Sequence, residues 1–215
     1  MKQVAVIGLG RFGMSVVRNL CINGGCEVLA VDMDEKQVHH AADTATYAVQ
    51  ADATDEATLK SLGLKNFEYV VVAIGTDIQA SVIITLTLKD LGVNNVIAKA
   101  QSHTHGRILE KAGADRVVYP ERDMGARLAK SILTSNIVDY IELSPEYSIV
   151  ELSAPYFFKG KSLAELNARA QYGVNIIALK RDREIIVSPQ ADEFIGEQDI
   201  MVVVGKNHDI AKLEL

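Results

Sequence analysis

Along the first half of the chain, short apolar blocks alternate with stretches in which apolar residues recur every three or four positions. Residues 2–7 read as a strand and 11–23 as a helix that places Phe12, Val16, Val17 and Leu20 on one face. "EVLAV", residues 27–31, is a second strand ending at Asp32, which completes a βαβ unit. The alternation continues through "TYAVQAD" (46–52), a short helix from Glu56 to Leu62, the β-branched strand "YVVVAIG" (69–75), a helix from Ile78 to Leu91 and a fifth strand, "NVIAKA" (95–100). A helix from about Thr104 to Ala112, a sixth strand "DRVVY" and a long helix opened by Pro120 and reaching about Val138 follow. Near-continuous apolar strands with intervening helices predict an α/β fold, a Rossmann-like doubly wound parallel sheet covered on both faces.

The pattern changes near Tyr140, where "YIELSPEYSIVELSAP" is charged and strand-rich. A helix from Ser162 to Gln171 opens with a capping box of Ser162 and Glu165. Two strands then flank an Arg-Asp-Arg-Glu turn, "QDIMVVVG" adds another, and "NHDIAKLEL" reads as a short terminal helix. Two domains are therefore expected: residues 1–139, including the long helix, and a smaller α+β domain over 140–215.

With 215 residues, 48% of them hydrophobic, the chain can bury real cores. Its net charge of −6 argues against a general nucleic-acid surface, which needs a basic patch. The absence of a signal-like start and of any apolar run near the roughly 20 residues of a membrane span leads to the expectation of a cytoplasmic protein. Cys21 and Cys26 lack CxxC spacing and read as ordinary packing residues.

"VIGLGRFG" carries the first candidate chemistry. Gly8 allows a tight turn, Gly10 lets the backbone approach a phosphate, and Gly13 lets the following helix close on the strand. Asp32, about twenty residues on at a strand end, is placed to accept from ribose hydroxyls and to repel a 2′-phosphate, with Asp34 as a second acceptor. Arg11 beside Phe12 adds a cation where a pyrophosphate already meets amides, and reads either as a partner for extra phosphate charge or as a solvated helix-start arginine. Asp52, Ala53 and Thr54 after the third strand, and Ile74 and Gly75 after the fourth, are expected as walls and hydrogen-bond partners for a base or ribose.

None of these residues is a convincing acid, base or nucleophile, and neither GxSxG nor HExxH occurs. His39 and His40 read as solvated helix residues, and His103 and His105 as surface or capping residues rather than metal ligands. An NAD-dependent oxidoreductase remains the alternative, although the residues after Tyr140 are too few and too strand-like for a usual substrate domain.

Several segments together carry a more specific signal: "VIGLGRFG", "EVLAVDMDE", "ADATDEATLKSLGL", "YVVVAIGTDIQAS", "VIAKAQ", "LEKAGADRVVYPERDMG", "YSIVEL" and "LNARAQYGVNIIALKRD". In this order they resemble the RCK family, regulators of potassium conductance, and within it the regulatory subunits of Ktr/Trk-type potassium uptake systems. The resemblance covers essentially the whole chain. It implies a nucleotide-binding lobe, a crossover helix that joins subunits into dimers, and an RCK-C lobe. It further implies homo-oligomeric assembly, commonly an octameric ring, that docks on a membrane ion-translocating subunit and changes its gating as ATP replaces ADP; an NAD(H)-responsive regulator shares the fold and role. By the same resemblance, Glu121 lies near the phosphates and a cation (Mg2+, Ca2+ or Na+), with Lys99 a basic residue near the same cleft. Arg169, Ala170, Asn175, Ile176, Ile177 and Pro189 match a region where several relatives bind cyclic di-AMP.

Overall fold

In the computed structural model, which describes residues 1–133 and 137–213, the chain divides into two compact units, Met1–Asp123 and Met124–Leu215. The first unit follows the apolar blocks: β1 (Lys2–Ile7), α1 (Arg11–Ile22), β2 (Cys26–Asp32), α2 (Glu35–Ala42), β3 (Tyr47–Gln50), α3 (Glu56–Ser61), β4 (Tyr69–Val72), α4 (Ile78–Asp90), β5 (Val96–Lys99), α5 (His103–Lys111) and β6 (Arg116–Val118). The six strands pair in parallel in the order β3-β2-β1-β4-β5-β6. Successive side chains of a strand point to opposite faces, and consecutive residues of the inner strands β1, β2 and β4 are buried, so both faces of the sheet's centre are covered. Val4 and Val6 of β1 join Met14 and Val17 of α1 in one layer, whereas Ala5 and Ile7 join Ile84 and Leu88 of α4 in the other. Each fully buried Ile or Leu contributes about 1.5–3 kcal/mol, so these layers drive the fold.

The order reverses between β1 and β4, and at such a reversal the loops leaving the two strands diverge and open a crevice at the carboxyl ends. The helices that follow start in different ways. Asp34, Asp55, Asp77 and Ser102 each accept a hydrogen bond from a first-turn amide of α2, α3, α4 and α5. Helix α1 starts at Gly10, which has no side chain to do so.

Helix α6 (Pro120–Leu133) runs from the first unit into the second. The second unit holds β7 (Ile137–Glu142), β8 (Tyr147–Ser153), α7 (Leu163–Leu166), α8 (Ala168–Tyr172), β9 (Val174–Arg181), β10 (Glu184–Val187), β11 (Ile200–Lys206) and α9 (Asn207–Ile210). Its strands form an antiparallel sheet in the order β10-β9-β11-β8-β7. Val150, Leu152, Leu179, Met201 and Val203 pack from the strands against Phe158 and Leu166. The ring of Phe158 lies edge-on to those of Phe157 and Tyr172, with centroids 4.9 and 5.1 Å away.

Four local expectations are corrected. The helix from Pro120 does not reach Val138, because Ile137 and Val138 belong to β7 and Ile137 lies opposite Leu152 of β8. A β-branched pair gains more from that pleated ladder than from a helix. The second sheet thus begins at Ile137, ahead of the expected 139/140 boundary, while the compact units part between Asp123 and Met124. The single helix expected over Ser162–Gln171 is two short ones, α7 and α8, divided at Asn167, whose φ of 40° is left-handed. Asparagine tolerates that region better than other non-glycine residues. The capping box of Ser162 and Glu165 is present. The terminal helix stops at Ile210 and continues as a 3-10 turn, Ala211–Leu213; the rest of the expected helix, like residues 134–136 of the long one, lies outside the described residues.

Candidate functional site: a cleft at the carboxyl edge of the parallel sheet

The first loop is built by close backbone approach. Gly8 has φ +94°, and a Cβ there would lie 2.8 Å from Ile74 Cγ1. A Cβ on Gly13 would lie 1.9 Å from the Gly8 carbonyl oxygen, so only glycine lets α1 start this near the turn. One on Gly10 would meet nothing within 4 Å, because that position faces the open cleft. The amides of the first turn of α1 therefore have no side-chain acceptor at its N-cap, and carry the partial positive charge of a helix start.

Asp32 ends β2 and ties two loops together. Its Oδ2 accepts from Leu9 N at 2.6 Å and its Oδ1 from Asp34 N at 2.9 Å. Each oxygen keeps a second acceptor site for an incoming hydroxyl. Asp34 lines the same cleft but spends one oxygen capping α2, accepting from Lys36 N at 2.9 Å. After β3, Asp52 accepts from the hydroxyl and amide of Thr54 at 2.7 and 2.9 Å, and these bonds hold its carboxyl below the usual range.

Basic groups gather at the opposite wall. Lys99 Nζ donates to Glu121 Oε1 at 2.7 Å and stands 5.7 Å from the centroid of the Phe12 ring, while a Cβ on Gly75 would press on its side chain at 3.3 Å. The hydrogen bond from Lys99 is the main cause of a lowered Glu121 carboxyl pKa, and the charge of Arg11 contributes as well. Arg11 itself is exposed and lines the cleft.

The cleft measures about 670 Å³, within the roughly 300–1,000 Å³ of small-molecule sites. Every residue of the first unit singled out from the sequence lines it except Gly13, which supports it from behind. Met33, Gln37, Thr76, Asp77 and Gln101 also line it. Their signal was position alone, just beyond strand ends or in the first turn of a helix. The expectation for His105 is corrected: it is 1% exposed and bonded to Ser81, because it shares the inner face of α5 with Leu109. His103 is exposed.

In the second unit, Arg169, Ala170, Asn175 and Ile177 are exposed on α8 and β9, and Ile176 and Pro189 are half-buried. Among the described residues no three His, Cys, Asp or Glu side chains cluster for a metal ion. Glu121 is a single carboxylate that pairs with Lys99, so a cation there would need further donors beyond this side chain.

Residues 4–120 match the TrkA-N domain and residues 148–215 the TrkA-C domain. The chain is 50% identical to Ktr system potassium uptake protein C of Bacillus subtilis (strain 168) over 213 residues, 99% of this chain and 96% of that protein. This chain belongs to the Ktr family of RCK regulatory subunits. Ktr system potassium uptake protein A of the same organism is 51% identical to this Ktr-family chain over the same extents, 99% and 96%. The fold is also that of the GsuK channel bound to NAD, with TM-score 0.68, 22% identity, and coverage of 99% of this chain and 39% of the channel. The Ktr relationship assigns the chain a regulatory role in potassium uptake, and among its described residues no helix is long and apolar enough to cross a membrane.

Proposed function

We propose that this Ktr-family subunit senses adenine nucleotides in the cleft of its first unit and, as ATP replaces ADP, gates a membrane potassium-translocating partner. The observation that carries this reading is the uncapped start of α1 facing the cleft, with Asp32 fixed on one side and Arg11 and Lys99 on the other. A pyrophosphate fits the free amides, a ribose the spare acceptor sites of Asp32, and further phosphate charge the two cations. NAD(H) would use the same ribose and pyrophosphate contacts and remains the second ligand of the site. The role is regulatory rather than catalytic, and the subunit works at the inner face of the membrane through its partner.

A homo-oligomeric ring, an octamer by family resemblance, follows from the same reading. Met124, Leu128 and Ile132 recur at four-residue spacing on α6 and are 60%, 59% and 72% exposed, which suits a surface covered by a second copy. A cation near Glu121 would draw its remaining oxygen ligands from bound phosphates. Cyclic di-AMP at the surface of Arg169, Asn175 and Ile177 rests on resemblance alone.

Asp32→Ala is expected to weaken ATP, ADP and NADH together by about 10- to 100-fold, since the ribose contact is common to all three. Calorimetry with the three ligands checks this, and unchanged affinity for every one would overturn the orientation. Arg11→Ala is expected to weaken ATP more than ADP, whereas Glu121→Gln leaves nucleotide affinity largely intact and removes any divalent-cation enhancement of partner activation. Paired calorimetry and potassium flux through the reconstituted partner test both. Equal losses for ATP and ADP would make Arg11 a general anion contact.

A further inference from the structure

Behind the cleft wall, polar side chains occupy positions where apolar ones would pack: Ser81 and Thr85 on α4 are fully buried, and so is His105 on α5. Their hydrogen bonds have one consistent arrangement. The backbone N–H of Gln101 points at His105 Nδ1, 3.3 Å away, so Nδ1 is the acceptor. A neutral imidazole has a single proton, which therefore sits on Nε2 and is donated to Ser81 Oγ at 2.7 Å. The Ser81 hydroxyl then donates to the Ile78 carbonyl at 3.2 Å, and Thr85 Oγ1 to the Ser81 carbonyl at 2.7 Å. Burial pushes the His105 imidazolium pKa down, in keeping with a neutral ring.

Both ends of this chain reach the nucleotide cleft. Gln101 lines it directly, and Ile78 opens α4 immediately after Thr76 and Asp77, which also line it. For stability alone, apolar residues of matching volume would serve as well, whereas a fully satisfied buried polar chain fixes the relative placement of the elements it joins. We infer that His105 is a positioning residue for the nucleotide cleft: by accepting from Gln101 and donating to Ser81 it holds the β5–α5 loop and the first turn of α4 at a set spacing. The inference rests on the proposed nucleotide reading.

The test uses the full chain, ADP calorimetry and thermal unfolding, with His105→Leu and His105→Asn as the paired variants. Leucine fills the buried site but ends both hydrogen bonds, and asparagine keeps an acceptor near the Nδ1 position for Gln101. Positioning predicts about a tenfold loss of ADP affinity for His105→Leu. It also predicts partial recovery in His105→Asn, even though asparagine is the less stable occupant of an apolar site. A purely structural role gives the opposite order, with affinity following stability. Ser81→Ala, which removes the acceptor for Nε2–H together with the hydroxyl's bond to the Ile78 carbonyl, is expected to weaken ADP at unchanged fold, and it decides the matter should His105→Leu not fold. Wild-type affinity in Ser81→Ala, or affinity tracking stability across the His105 pair, overturns the positioning role. A wild-type chain that binds neither ATP, ADP nor NADH instead overturns the nucleotide reading on which that role depends.

Discussion

Gly13→Ala is expected to lower the stability of the first unit by about 3–4 kcal/mol and to abolish nucleotide binding. The added Cβ would stand 1.9 Å from the Gly8 carbonyl oxygen and 3.2 Å from Ala73 Cβ. The first of these neighbours is backbone, with no rotamer to turn aside. Relief requires α1 to lift by more than an ångström, which breaks its packing through Met14 and Val17 against β1 and β2. Gly10→Ala provides the contrast. Its backbone is ordinary (φ −67°) and its Cβ would meet open space, so the stability cost is limited to about 1 kcal/mol for a poorer N-cap. Nucleotide affinity should nevertheless fall, because the methyl group enters the open space that the proposed reading gives to a phosphate. Urea unfolding and ADP calorimetry on the two variants read these effects separately. Wild-type stability in Gly13→Ala would show that the helix does not start this close to the turn.

Among the polar contacts of the second unit, a large loss is expected from Asp199→Ala, about 2–3 kcal/mol. Its side chain is 2% exposed and accepts from Arg181 Nε at 3.0 Å, Arg181 Nη2 at 2.8 Å and Gly196 N at 2.9 Å. Removing it takes one partner from the guanidinium and leaves the half-buried Gly196 amide without its acceptor, while Glu193 and the Phe194 carbonyl still hold Arg181. The figure sits below the full cost of breaking a buried pair because the Arg181 side chain is 39% exposed and remains partly solvated. The hydrogen bonds from Arg181 are the chief cause of a lowered Asp199 pKa. A folded-state pKa below the unfolded one means that this contribution is complete above about pH 4 and is lost as pH falls through the folded value. The difference between wild type and Asp199→Ala should therefore be full at pH 7 and shrink in acid. A gap that stays constant down to about pH 2 would remove the ionised carboxylate as its source.

The sequence disclosed the parallel unit because its strands are apolar on both faces, and because Asp32 ends a strand at the spacing a ribose contact requires. It disclosed less where local chemistry is permissive. Met124, Leu128 and Ile132 continue a helical spacing toward Ile137 and Val138, and sheet pairing with β8 overrides that pattern. Asn167 is unremarkable inside a helical stretch until the backbone shows its left-handed turn. His105 looked like a surface residue among "SHTHG", yet its four-residue spacing from Leu109 already placed it on the inner face of α5. The cleft residues contributed by strand ends were legible as loops, but which of their side chains face inward depends on the strand order.

That strand order has a consequence for synthesis on the ribosome. β1 is an inner strand whose two neighbours are β2, made next, and β4, whose pairing with Val4–Ile7 begins only at Tyr69. At about 5–20 residues per second, the apolar edge of β1 waits several seconds for its second partner. A nascent chain shorter than β4 carries the glycine loop and Asp32 but lacks the Ile74 wall against which Gly8 turns. Chaperone occupancy on translating chains should accordingly peak before β4 emerges and fall once it docks, with the glycine loop taking shape at that moment rather than when its own glycines leave the exit tunnel.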